Sequence, residues 1–276
     1  MALCNMPDLS AVDVGVAGDA LQSAADRVAA LLETAPDPTA PIPGMTWTVR
    51  ELGVHLTLSA ENYVSFVSGG TGSPLDLSDI PGGSLTRSNA ALIDSESEQD
   101  LSVLMTRYRR GVSELLSASK GRKNDDTVKW HGVTVTLGAL LGLGAGEALV
   151  HGYDLAKALG KPWRIPPDQA RLVLSSSLPL LPYLVDKTAT ADVVVAYELR
   201  VRGGESLTLR FHRGVLTIEP LGGRVDCRVS ADPVALLLIA YGRISHWVPA
   251  LTGKMFAWGR KPWLGFRLTS YLVNPG

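Results

Sequence analysis

Thr136 to Leu159 constrains this chain more than any other stretch. It has the length of a helix, and Leu137, Leu140, Leu141, Leu143, Leu149, Val150, Leu155 and Leu159 point round most of its circumference. A helix that is apolar nearly all round is normally buried. Three ionisable side chains nevertheless lie inside it: Glu147, His151 and Asp154, spaced i, i+4, i+7 and therefore on one stripe. An unpaired carboxylate is costly to bury, so it must be neutralised, paired or metallated. Glu and His four apart suit shared ligation of one metal ion, with further ligands from a facing helix. They equally suit a plain hydrogen-bonded pair, and spacing alone leaves both readings open. Gly142, Gly144 and Gly146 weaken the helix by about 1 kcal/mol each against Ala, or else let another helix approach closely.

The 276 residues suffice for one large domain or two ordinary ones. A net charge of −1 and a pI near 6.5 leave no basic surplus for nucleic acid, and no Lys/Arg run argues for a polybasic membrane patch. Hydrophobic residues make up 46%, enough for an ordinary core. The N-terminal Met-Ala-Leu-Cys-Asn-Met-Pro-Asp lacks the basic and apolar regions of a secretory signal. No apolar run reaches the ~18 residues of a spanning helix. Cys4 and Cys227 lie outside any CxxC pattern, so neither a disulfide framework nor a cysteine zinc site is expected. A cytoplasmic protein is the simplest expectation.

Taken in order, the pattern predicts helices over 14–34, 48–68, 85–117 and 136–159. Thr48-Val-Arg-Glu51 is a capping box that opens the second, and His55 sits on its apolar face beside Leu52 and Leu56. Such a histidine is either a satisfied core residue or a ligand. The third helix is expected to bend near 94–98. The Gly/Ser/Pro/Asp-rich stretch 68–84 reads as a loop, and 128–134 as a short extended piece. A helix from Pro167 to about Val185 should be bent by Pro179 and Pro182. From Asp192 the period changes to alternation, with a hairpin signal at His212-Arg-Gly214, a short helix over 234–241, a strand at 255–258 and a last helix over 263–272. The domain break is expected near 186–191, giving domains 1–188 and 189–276 and an α+β fold class.

Two groups of residues carry a family resemblance. One is Thr46-Trp47-Thr48-Val49-Arg50-Glu51-Leu52 leading to His55, and the other is Glu147-Ala-Leu-Val-His151-Gly-Tyr-Asp154-Leu-Ala. Together they resemble the mycothiol-dependent maleylpyruvate isomerase family, within the DinB-like metal-dependent four-helix bundles. The resemblance implies a bundle whose metal ligands are His55, Glu147 and His151. The stretch Val229-Ser-Ala-Asp-Pro-Val-Ala-Leu-Leu-Leu-Ile-Ala-Tyr-Gly-Arg243 is more loosely similar to the small, sterol-carrier-like second domain of that family. There Arg243 corresponds to an arginine needed for activity.

The chemistry implied is that of an open metal site. His₂Glu suits Zn²⁺, with Ni²⁺ or Mn²⁺ as alternatives. The three donor tips should lie within roughly 3–4 Å of one another. Such a metal binds and deprotonates a thiol. No cysteine here sits in a recognisable active-site motif, so the thiol is expected from a small cosubstrate, mycothiol by the resemblance. The thiolate would attack an electrophilic small molecule, as transferase or isomerase. Arg243 is the candidate for a carboxylate grip, the bland reading being a surface arginine. Asp154 either orients a ligand or pairs with Lys157 or Arg164. His131, His212 and His246 lack ligand spacing. Trp247, Trp258 and Trp263 fit a small-domain core or an apolar cleft. A binding module for a lipid or small apolar ligand and a water-activating metal hydrolase are the competing functions.

Overall fold

A computed structural model describes residues 12–70 and 84–273, with backbone only at 84–88. The described residues form an α+β protein of two compact units that divide between Ser176 and Ser177. The expected loop 68–84 falls mostly outside the described residues, and Cys4 lies outside them too.

The first unit is built from helices. Asp13 caps α1 (Val14–Glu33) by accepting from the Val16 amide, and Leu21, Ala24, Ala25, Val28 and Leu32 form its buried face. The Thr48/Glu51 capping box opens α2 (Val49–Val67) with both reciprocal bonds made. The third expected helix is instead two, α3 (Ser84–Ser95) and α4 (Leu101–Ser119). Between them Arg50 of α2 donates from Nε to the Glu98 carbonyl at 2.8 Å and from Nη2 to that of Glu96 at 2.8 Å. Those carbonyls are thus spent outside a helical ladder, and Asp100 caps a new helix through the Ser102 amide.

The extended piece is a hairpin, β1 (Thr127–Trp130) and β2 (Val133–Thr136). Its turn places both His131 (φ 46°) and Gly132 (φ 81°) at positive φ, the two-residue geometry that matches strand twist. Thr136 caps α5 (Leu137–Ala158), which is buried along nearly its whole length. α1 packs on α5 and α4, and α2 packs on α4 and α5. Glycines make this possible: a Cβ on Gly144 would sit 3.1 Å from the Tyr63 ring of α2, and one on Gly142 would meet Ser176 at 1.9 Å. α6 (Pro167–Ser177) does not continue to Val185, because the prolines turn residues 178–184 into a 3₁₀ stretch.

The second unit holds a five-stranded sheet in the order β5-β4-β3-β6-β7. Its strands are β3 (Val194–Val201), β4 (Ser206–His212), β5 (Val215–Pro220), β6 (Cys227–Ala231) and β7 (Met255–Trp258). All pairs are antiparallel except β3–β6, in which Leu199 lies opposite Val229. Tyr197, Leu199, Leu209, Phe211 and Val229 share one buried face. Asp232 caps the buried α7 (Pro233–Ala240), and the short α8 (Trp247–Leu251) leads into β7. The last expected helix is two 3₁₀ turns, 262–266 and 268–271. In the first of them Gly265 lies so close to β7 that a Cβ would come within 2.5 Å of Ala257. Trp247 and Trp263 are exposed rather than in a core, and so is Trp258.

Candidate metal centre

The site begins with two helices in contact. α2 carries His55 and α5 carries Glu147 and His151. The Glu147 Oε2 atom lies 3.0 Å from His55 Nε2 and 3.3 Å from His151 Nε2. The two imidazoles meet edge to face at 4.9 Å between centroids. One donor atom from each of the three residues lies within 4.8 Å of the others, a somewhat wider spread than bond lengths alone suggested. Both histidines are buried, and Glu147 keeps 27% of its side chain exposed, so the centre opens to solvent on the carboxylate side.

Asp154 completes the stripe. Its Oδ2 lies 3.2 Å from His151 Nδ1, and the carboxylate is buried. A carboxylate on Nδ1 fixes the ring and turns Nε2 toward Glu147. Burial alone would raise the Glu147 carboxyl, but hydrogen bonds from His151 and His55 outweigh it and hold it far below the usual carboxylate range. Burial likewise opposes a charged His151, and its bonds to Asp154 and Glu147 prevail, so its pKa is raised. The same donors, freed of protons, are a His₂Glu set of the kind Zn²⁺ takes with a position left open.

Trp47 stands over this cluster, its ring 4.7 Å from that of His55 and 5.8 Å from that of His151. It is held by a tight loop in which Ile42 donates to the Trp47 carbonyl and Thr48 bridges to Pro41. The sequence placed Trp47 in a motif without giving it a place at the site; its position just before the helix cap was the available signal. Tyr108 of α4 is buried, and burial first, then the charges of Glu147 and Asp26, push its phenol up. The sequence did not single it out.

Arg243 belongs to the other unit, just after α7, where Nη1 donates to the Tyr241 carbonyl at 2.7 Å. His131 sits in the β1–β2 turn against Phe66, His212 ends β4, and His246 lies beside Trp247. Among the described residues, no other group of His, Cys, Asp or Glu converges as His55, Glu147 and His151 do.

Residues 20–156 match the family described as the mycothiol maleylpyruvate isomerase N-terminal domain. The match covers the greater part of the helical unit. All three converging residues fall within the match. Two solved structures are similar over nearly the whole chain. One is of the mycothiol-dependent maleylpyruvate isomerase, 16% identical, covering 87% of this chain and 94% of its own, with a TM-score of 0.53. The other is a histidine-to-alanine mutant of the mycothiol-dependent maleylpyruvate isomerase, 14% identical, covering 91% of this chain and 95% of its own, with a TM-score of 0.55. At such identity the likeness establishes the fold. No curated protein matches the sequence. Among the described residues no helix is long and apolar enough to cross a membrane.

Proposed function

We propose that this protein is a mycothiol-dependent metalloenzyme, an isomerase or S-transferase acting on an electrophilic small molecule. The observation that carries the reading is the convergence of His55, Glu147 and His151 from two helices, backed by a buried Asp154 on one ring. Buried imidazoles facing a carboxylate fit a divalent metal, zinc first by ligand type. Bound there, zinc supplies Lewis acidity that favours the thiolate form of a small thiol. We take the helical bundle, 1–188 by the sequence pattern, as the metal-binding domain and the segment 189–276 as a small sterol-carrier-like α/β domain.

The chain's own groups have separate tasks. Asp154 keeps the Nδ1 proton of His151 and so leaves Nε2 as the ligating lone pair. Trp47 covers the ring faces and limits water on that side. Arg243 is our candidate for gripping a carboxylate of the substrate or of the thiol cosubstrate through its planar fork. The thiol is taken to be mycothiol because that cosubstrate is named for the family and for the similar structures.

The test combines metal analysis with turnover. Purified protein should carry or take up about one zinc per chain. Conjugation or isomerisation with mycothiol should vanish in His151→Ala. Intact turnover in a metal-free variant would refute the reading, and hydrolysis without added thiol would favour a water-activating enzyme in its place.

A further inference from the structure

The last acidic residue of the chain is Asp232, the cap of α7. The 44 residues after it contain five Lys or Arg and no Asp or Glu, while the rest of the chain holds 21 Lys or Arg against 27 Asp or Glu. A near-neutral protein thus conceals a strong asymmetry. Three of the six tryptophans fall in the same stretch.

The fold turns that composition outward. On α8, Trp247, Val248 and Leu251 stand at i, i+1 and i+4, and they are 57%, 59% and 86% exposed. α8 packs beside the edge strand β7, which presents Phe256 and Trp258 on its open face. The Phe256 ring lies 3.6 Å from the point where a Gly253 Cβ would be, so α8 and the strand form one surface. Cations border it. The Arg202 guanidinium lies 5.4 Å from the Phe256 ring centre and donates to the Gly253 carbonyl, and Lys254 is exposed between α8 and β7. Trp247 is braced by stacking on Phe266 at 4.6 Å.

We infer that this face of the C-terminal unit binds the surface of an anionic lipid bilayer. Trp and Phe with aliphatic neighbours and a Lys/Arg border is the composition of an interfacial anchor. Nucleic acid would stack on the aromatic rings and pair with the cations, but it offers nothing to Val248 and Leu251, whereas acyl chains do. The absence of acidic residues throughout the stretch removes the repulsion that would oppose anionic headgroups. The association is peripheral, the apolar tips entering to the depth of the headgroup boundary.

The experiment is co-sedimentation of the full chain with large vesicles of phosphatidylcholine alone and with about 30% phosphatidylserine. The expected result is retention on the anionic vesicles only, weakened about fivefold by removing one cation in Lys254→Gln and abolished in high salt. Leu251→Glu and Val248→Glu should each weaken binding about tenfold or more at an unchanged melting temperature. Val215→Glu, an exposed position on the opposite edge strand, should leave it intact. The inference is overturned by binding to neither vesicle, by equal binding of the Leu251→Glu protein, or by preference for a nucleic acid over anionic vesicles at equal phosphate. It is also overturned by a concentration-dependent dimer that Leu251→Glu dissociates.

Discussion

Gly152→Ala pits two physical rules of opposite sign against each other. Gly152 lies inside α5, directly after His151, where alanine is the better helix former by about 1 kcal/mol. Judged on propensity, the substitution stabilises. Judged on packing, it cannot. A Cβ there would sit 2.0 Å from Cζ2 of Trp163 and 2.5 Å from Cε2 and Cη2. An indole is rigid, so relief to an ordinary contact of about 3.5–4 Å requires the whole ring to move by more than 1 Å. The ring is tethered, with Nε1 donating to the Leu149 carbonyl at 3.0 Å and the Arg27 guanidinium stacked 4.2 Å above it. Overpacking costs about 1–3 kcal/mol, the lost hydrogen bond about 1 and the cation–π contact about 0.5. Set against the helix gain, the net is destabilisation of about 2–3 kcal/mol. Urea unfolding should show a lower midpoint with unchanged slope. In a Trp163→Leu background the obstacle is gone, and the same substitution should stabilise by about 1 kcal/mol. A Gly152→Ala protein as stable as the parent, or one that destabilises equally in both backgrounds, would refute the packing argument.

Asp154→Asn should weaken zinc affinity about 10- to 100-fold in a chelator competition, since it removes the carboxylate that holds the proton on His151 Nδ1. Zinc affinity should keep rising as pH increases beyond the ordinary histidine range of about 6.5, because protons held by the raised His151 must leave first; a flat profile from pH 6 to 8 would count against that ligand. In the metal-free protein the raised His151 contributes stability that is full below the unfolded histidine value and is lost as pH rises through its native one. The depressed Glu147 contributes stability that is present above the ordinary carboxylate value and is lost as pH falls. The zinc-induced rise in melting temperature should therefore grow with pH. Arg243→Lys should raise KM about tenfold with zinc affinity unchanged, if the bidentate fork is what grips the carboxylate.

Much of this was legible because the signals are local. The Thr48–Glu51 box announces its helix within four residues, and the Glu147–His151–Asp154 stripe needs only the helical period. The glycines of α5 were recognisable as sites of close approach, and Gly144 receives Tyr63. What failed depended on distant partners. A bend near 94–98 was legible, but that it is a full break between α3 and α4 depends on Arg50, almost fifty residues earlier in the chain, which takes the Glu96 and Glu98 carbonyls. The final turns pack on β7 through Gly265, a contact that the local sequence does not announce. His55 was ambiguous on its own helix and gained its meaning from a helix ninety residues on, which the family motif supplied and periodicity could not. The last three tryptophans were open between a core and an apolar cleft, and the fold excludes the core by leaving Trp247, Trp258 and Trp263 exposed.

The parallel pairing of β3 with β6 fixes an order of assembly. β3, β4 and β5 are joined by tight turns, Gly203–Gly204 and Arg213–Gly214, and their ladders close over short loops. β6 reaches β3 only across this meander, since Tyr197 pairs with Cys227, and β7 reaches β6 only after α7 and α8 have been threaded between them. Loop closure slows with sequence separation, so the meander should form first, β6 should dock next and β7 should arrive last. In pulsed hydrogen exchange, amides of Leu207–Phe211 should gain protection before those of Met255–Trp258. The strand that arrives last is also an edge of the sheet, so the segment most exposed to premature partners while the chain matures is the one bearing Phe256 and Trp258.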